Sequence, residues 1–181
     1  MKKIIVVIAL ALSPLWAVSQ SAFDKYEDAD NVASISINKG LLGMVANMSS
    51  DSQDKEAQEF IALAKSIDGI KVFISEDSKV SADMALTIKS YVKKSRMEEL
   101  MRVKDGDTNV KFYIKSGRNA DRVRELVMFV TGIDDKNNSD KGPHFETVLL
   151  TMTGDIDLNK IGSLTNKMNL PKELKKAKRG K

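Results

Sequence analysis

The chain has 181 residues, of which 42% are hydrophobic and 30% are charged, with ten glycines, three prolines and no cysteine. This composition is typical of a globular protein and not of a collagen-like, low-complexity or disordered chain. The lack of cysteine excludes disulfides, thiolate metal sites, a cysteine nucleophile and a lipid-modified cysteine. The single histidine excludes any metal motif that takes two histidines from one chain.

The amino-terminal segment, residues 1–19, predicts a secretory signal peptide. Two lysines precede an apolar run at residues 4–12, and the small residues Ala17 and Ser19 follow. A positive start, a short apolar centre and small residues two positions apart are the features of such a leader. The apolar run is shorter than the ~20 residues of a membrane-spanning helix. We therefore expect cleavage between Ser19 and Gln20, and a mature protein that is periplasmic or secreted.

Positive charge is concentrated at the carboxyl terminus. The formal net charge is +4, but residues 20–171 carry −3 and the last ten residues, 172–181, carry +5. The basic side chains of this tail are Lys172, Lys175, Lys176, Lys178, Arg179 and Lys181. We expect a disordered tail, and we favour a solvated end that aids solubility, with contact to anionic lipid or lipopolysaccharide as the alternative. Because the body is acidic, a nucleic-acid partner is disfavoured.

The first half of the mature chain predicts a strand at 32–38, helices at 40–48 and 54–67, a strand at 70–75 and a helix at 78–94. The first strand reads VASISIN and alternates between apolar and polar residues, which is the period of a half-buried strand. The helix at 78–94 has apolar residues at helical spacing and lysines on its other side. An Asp-Gly pair is expected to end the second helix.

The second half is dominated by strands, predicted at 98–104, 110–115, 122–132 and 144–153. An Asp-Gly-Asp turn between the first two favours a hairpin. The third is ambiguous between helix and strand, and its β-branched and aromatic residues favour a strand. A Gly-Asp pair is expected to end the fourth strand, and Asp157 is expected to cap a last helix. The apolar stripe of this helix is Leu158, Ile161, Leu164, Thr165 and Met168.

The predicted order, β-α-α-β-α-β-β-β-β-α, is typical of the α+β class. Consecutive strands with short connections favour a largely antiparallel sheet, with helices packed mainly on one face. We expect a single domain over residues 20–171, stabilised by packing alone because no disulfide is available.

Four segments of the chain resemble one family. They read FDKYEDADNVASISINKGLL, EELMRVKDGDTNVKFYIKS, RELVMFVTG and LLTMTGDIDLNKIGSL. Together they resemble the domain of unknown function 4252 family, exported proteins of Bacteroidetes, from about Phe23 to Leu164. The resemblance implies an exported location and no established activity. Many relatives look like lipoproteins with a cysteine at the signal boundary, but Ser19 and Gln20 occupy that position here, so we expect no lipid anchor.

Three residues are candidates for acid–base chemistry. His144 lies at a loop-to-strand joint, and Asp155 and Asp157 are spaced as a possible carboxylate pair. A catalytic histidine needs an orienting carboxylate and usually a nucleophile, and no Gly-x-Ser-x-Gly motif is present. The simpler interpretation is a histidine at a strand end and two aspartates that end a strand and cap a helix, and we favour it.

Two acidic segments have features of cation sites. Asp105, Asp107 and Asn109 have the spacing of the first EF-hand ligands, but the glycine and glutamate needed at the sixth and twelfth positions are absent. A hairpin turn explains these residues better. The loop at 134–140 is rich in side-chain oxygens, as a flexible polar loop also is. We expect no metal and no cofactor, and we expect the methionines to fill the core.

The sequence leaves two classes of function open. The favoured class is a non-enzymatic binding module of the cell envelope, which contacts an unidentified protein or surface ligand through its sheet edge or a helical face. The alternative is a carboxylate-based hydrolase that acts on envelope glycans or phosphates through His144, Asp155 and Asp157.

Overall fold

A computed structural model describes residues 22–48, 54–119, 121–133 and 145–159, and these form one six-stranded sheet with three α-helices. The helices are α1 (Lys39–Met48), α2 (Lys55–Ser66) and α3 (Ser78–Lys94), preceded by a 3-10 turn at Asp24–Tyr26. The strands are β1 (Ala33–Asn38), β2 (Ile67–Ser75), β3 (Glu98–Asp105), β4 (Thr108–Ser116), β5 (Arg122–Thr131) and β6 (Thr147–Asp157). The α+β class and the predicted order are confirmed, while the last predicted helix extends beyond the described residues.

The sheet is antiparallel throughout, with the strand order β1-β2-β6-β5-β4-β3. Strands β3, β4 and β5 follow one another as a meander, while β6 is inserted between β2 and β5. The last strand therefore lies in the middle of the sheet and pairs on both sides. Its side chains alternate between the two faces of the sheet, with Leu149 on one face and Leu150 on the other.

One face of the sheet carries α3 and is called the α3 face. The helix begins at Asp77, whose Oδ1 accepts hydrogen bonds from the backbone nitrogens of Lys79 (2.7 Å) and Val80 (3.4 Å). Its apolar stripe packs against odd-numbered residues of β2, β6 and β5, which share one face because side chains alternate along a strand. The buried cluster comprises Phe23, Tyr26, Phe73, Met84, Ile88, Met97, Val127, Phe129 and Leu149.

The other face is contacted by α1 and α2 near one end only. Asn38 starts α1 by accepting a hydrogen bond from the backbone nitrogen of Leu41 (3.0 Å). Leu63 of α2 is buried with residues from three strands, and Leu42 of α1 packs on the same cluster. Its strand members are Ile67, Val123 and Ile156, with Ile70, Ile114 and Met152 packed against them.

Two predicted boundaries around Gly154 are wrong. Ile67 was expected to end a helix, but it is the first residue of β2 and pairs with Gly154 at an irregular step. Gly154 was expected to end a strand, but β6 continues through it to Asp157, which pairs with Arg122. The reason is a close approach: Gly154 has φ +149°, and a Cβ there would collide with the Ser66 carbonyl oxygen. The glycine lets the sheet pass beneath the end of α2.

Replacing this glycine by alanine tests the geometry. We expect Gly154→Ala to lower the free energy of unfolding by at least about 1 kcal/mol, because it adds backbone strain and a clash with backbone atoms. Gly43→Ala in α1 is the matched control, since a Cβ there meets no atom within 4 Å. Alanine favours a helix, so this control is expected to be neutral or stabilising. Urea denaturation of both variants checks the pair, and equal stabilities would contradict the described approach.

Candidate binding surfaces

A polar cleft of about 520 Å³ opens on the α3 face near the C-terminal end of α3. The residues of this cleft that carry polar side chains include Ser36, Lys71, Tyr91, Lys115, Glu125 and Thr151. They come from β1, β2, β4, β5, β6 and α3, so a rigid sheet holds most of them. The cleft presents ammonium groups, hydroxyls and the carboxylates of Asp68 and Glu125, which suits a hydrophilic group more than an apolar one.

Tyr91 and Glu125 form the most deeply placed polar pair of the cleft. The Tyr91 hydroxyl donates to Glu125 Oε1 at 2.7 Å, and Glu125 is 8% exposed. Burial, together with the neighbouring carboxylate, raises the pKa of Tyr91 to about 12. The ring of Tyr91 also packs edge-on against Phe23, with 4.8 Å between ring centroids. The Tyr91 hydroxyl therefore supplies the buried Glu125 carboxylate with a hydrogen-bond donor from α3.

Lys71 ties the amino-terminal turn to the sheet. Its Nζ lies 2.6 Å from Asp24 Oδ1 and 2.7 Å from Glu27 Oε1. Burial acts to lower the pKa of Lys71, but the hydrogen bonds with Asp24 and Glu27 raise it more, and the net direction is upward. The turn is also held by Tyr26, whose hydroxyl donates to Asp83 Oδ2 at 2.6 Å. The Phe-Asp-Lys-Tyr segment therefore attaches the amino-terminal turn to β2 and to α3.

The two edges of the sheet differ in chemistry. Strand β3 carries charged residues along its length, including an ion pair between Glu99 and Arg102 (2.7 Å), and its register shifts between Glu99 and Met101. Strand β1 reads ASISIN, has no charged residue, and pairs with β2 without a register shift. Every residue of β1 except the half-buried Ile37 is exposed. Charges and bulges protect an edge from further pairing, so β1 is the unprotected edge.

The predicted carboxylate pair is bound by arginines. Asp155 Oδ2 lies 3.0 Å from an Arg118 nitrogen and 3.1 Å from an Arg122 nitrogen. Asp157 lies 4.0 Å from Arg122 and accepts a hydrogen bond from the backbone nitrogen of Asn159 at 3.0 Å. The two aspartates therefore join β6 to Arg122 at the start of β5, and Asp155 also joins it to Arg118 before that strand. Asp157 caps the start of the following turn. These contacts do not favour the hydrolase alternative.

The acidic residues near Gly106 form a turn. Asp105 pairs with Thr108 across the β3–β4 hairpin, Gly106 has φ +55°, and Asn109 Nδ2 donates to the Asp107 carbonyl at 3.1 Å. The hairpin prediction is confirmed. Over the described part of the chain, no group of three or more histidines, aspartates and glutamates is placed to hold a metal ion.

Several predicted residues lie outside the described ranges. They are Ser19 and Gln20 of the predicted cleavage site, His144, the loop at 134–140 and the tail residues Lys172, Lys175, Lys176, Lys178, Arg179 and Lys181. Of the described methionines, Met84 and Met97 are buried, whereas Met44 is 61% exposed.

Sequence reasoning missed Lys71, Tyr91 and Glu125 as members of one cleft. A signal was present in Lys71, which is the only charged residue between Ile70 and Ser75. Glu125 follows Arg122 and Arg124 on the same strand, so its charge did not single it out. Tyr91 gave no such signal, since its position fits the apolar stripe of α3.

The family model of a domain of unknown function, DUF4252, matches residues 26–164. The chain belongs to this family. No curated protein and no solved structure matches the chain significantly. Among the described residues, no helix is long and apolar enough to cross a membrane. The family membership predicted from the four sequence segments is confirmed.

The pKa of Tyr91 gives a prediction for alkaline pH. The pKa of Tyr91 is about 12 in the folded protein and about 10 in the unfolded chain. The stabilisation that comes from the Tyr91–Glu125 hydrogen bond is therefore present below pH 10 and is lost as the pH rises toward 12. In a titration followed at 295 nm, we expect one tyrosine to ionise near pH 12, and Tyr91→Phe to remove that component. Tyr113→Phe, the control, should retain it. A Tyr91→Phe titration identical to that of the wild type would contradict the pairing with Glu125.

Proposed function

We propose that the protein is an exported, non-enzymatic binding module of the cell envelope that takes up an extended protein segment as an added strand beside β1. The observation that carries this proposal is the contrast between the two edges: β1 is uncharged, regular and exposed, whereas β3 is charged and irregular. An open edge presents backbone N–H and C=O groups that a partner strand can pair.

The side chains beside this edge indicate what the partner segment looks like. Ser34 and Ser36 lie toward the α3 face and its polar cleft, whereas Ile35 and Ile37 lie toward the other face. An added strand would continue the same alternation, because side chains of a strand point to opposite faces in turn. The matching partner is therefore an extended segment that alternates polar and apolar residues.

Export is supported by the leader at residues 1–19. The six basic residues of the tail favour contact with anionic lipid or lipopolysaccharide, which would hold the module close to the envelope surface. Expression of the full chain in a Gram-negative host, followed by mass spectrometry of the periplasmic fraction, tests the leader. A product that begins at Gln20 supports export, and an unprocessed cytoplasmic product contradicts it.

Two edge variants test the binding mode. Ile35 on β1 is 52% exposed and Leu100 on β3 is 51% exposed, so Ile35→Lys and Leu100→Lys place the same charge on equally exposed positions of opposite edges. The probe is a ten-residue peptide selected from a displayed library on the mature protein. We expect Ile35→Lys to weaken its binding at least about tenfold, because charge blocks edge pairing, and Leu100→Lys to have little effect.

Hydrogen exchange locates the bound peptide independently of any variant. The peptide is expected to slow amide exchange in β1 and to leave β3 unchanged, since added backbone hydrogen bonds protect only the edge that they join. Protection at β3 instead of β1, or equal loss of binding in both lysine variants, would contradict strand addition at β1.

A further inference from the structure

The sheet face opposite α3 is apolar across its whole width. One row of paired residues crosses all six strands without a polar side chain. The row on one side of it is also apolar, and the row on the other side is apolar from β1 to β4 and ends at Glu98 on β3. The central row is Ile35, Val72, Leu150, Met128, Phe112 and Met101. We call this surface, with its flanking rows, the apolar face.

Most of the apolar face is not covered by the described helices. The row through Ile70, Met152 and Ile114 packs on the Leu63 cluster beneath α1 and α2. Among the described residues, no member of the central row belongs to a buried cluster or packs against one. Apart from the exposed Ile35, these side chains are half-buried. A contiguous apolar surface of this extent is rare on a monomer and indicates that another element covers it.

The described chain ends directly beside this surface. Leu158, which follows the last residue of β6, packs against the Leu63 cluster, and its backbone nitrogen donates to the Asp121 carbonyl at 3.0 Å. Leu158 and Asn159 are helical, and the Asp157 carboxylate caps this turn. Leu158 and Asn159 therefore form a helical turn on the side of the sheet that carries the apolar face.

We propose that residues 158–171 continue as an amphipathic helix whose apolar stripe packs on the apolar face. The stripe Leu158, Ile161, Leu164, Thr165 and Met168 repeats at intervals of three and four, the spacing of one helix side. A helix over residues 158–171 extends ~21 Å, which is close to the width of four strands at ~4.8 Å each. The polar side of this helix, with Ser163 and Asn166, faces solvent.

In this proposal the C-terminal helix joins α1 and α2 on the face of the sheet opposite α3. It also ends near Pro171, directly before the basic tail. The proposed strand addition at β1 does not depend on this helix, because the helix covers a face of the sheet and leaves the β1 edge open.

Engineered cysteines test the placement, because the natural chain has none. Leu150→Cys and Leu164→Cys together form the test pair in the mature protein. Leu150→Cys with Ser163→Cys is the matched control, since residue 163 lies on the polar side of the same helix. A disulfide requires Cα atoms within about 7 Å. Under mild oxidation we expect a disulfide within one chain for the test pair and at least a tenfold lower yield for the control.

A second pair, Met128→Cys with Leu164→Cys, allows for a helix that crosses one strand further along. Disulfides within one chain from either test pair support the proposal. Disulfides between two chains would instead show that a second copy covers the face. If neither pair forms a disulfide, or if the control pair forms it equally well, the proposal is overturned.

Dye binding gives a readout that does not depend on cysteine. The double variant Ile161→Asp and Leu164→Asp should release the helix and increase the fluorescence of an apolar-surface dye several-fold, because the face becomes uncovered. Ser163→Asp with Asn166→Asp adds the same charges to the polar side and should leave the fluorescence unchanged. Equal fluorescence from both double variants would contradict the proposed packing.

Discussion

The position of β6 at the centre of the sheet constrains the rest of the structure. It pairs with β2 on one side and β5 on the other. Leu149 points into the α3 cluster with 0% exposure, whereas the adjacent Leu150 points to the apolar face. Because side chains alternate along a strand, both neighbours need an apolar environment. The sheet therefore requires a cover on each face, and α3 provides only one of the two.

Much of the fold was predictable because it depends on local patterns. The alternation in β1 and β4, the stripe of α3 and the Asp-Gly turn at Gly106 each act over a few residues, and the structure confirms these elements. The half-burial expected of β1 is wrong, because every residue of this edge strand except Ile37 is exposed. The insertion of β6 was not predictable, since strand order depends on contacts between residues far apart in the chain. The prediction that Gly154 ends a strand was wrong for the same reason. Here the glycine permits a close contact with Ser66, which is far away in the chain.

The candidate sites also divide into local features, which the sequence indicates, and features that only the tertiary structure brings together. The turn at Asp105–Asp107 and the cap at Asp157 are local features, and both lie as the sequence indicates. The cleft joins residues from six elements, so no single segment shows it. Lys71 interrupts an apolar run, which marks it as unusual, but only the sheet register brings it to one face with Glu125. The functional proposals consequently rest on surfaces that tertiary structure creates, an open edge and an apolar face.

Native-state hydrogen exchange of the mature protein, resolved strand by strand, tests the sheet most directly. Amides of β6 and β5 are bonded on both sides and are expected to exchange only through global unfolding. Outward amides of β1 have no described partner strand, and they should exchange orders of magnitude faster. Protection of β1 equal to that of β6, or fast exchange in β6, would contradict a sheet with β6 at its centre and β1 at an open edge.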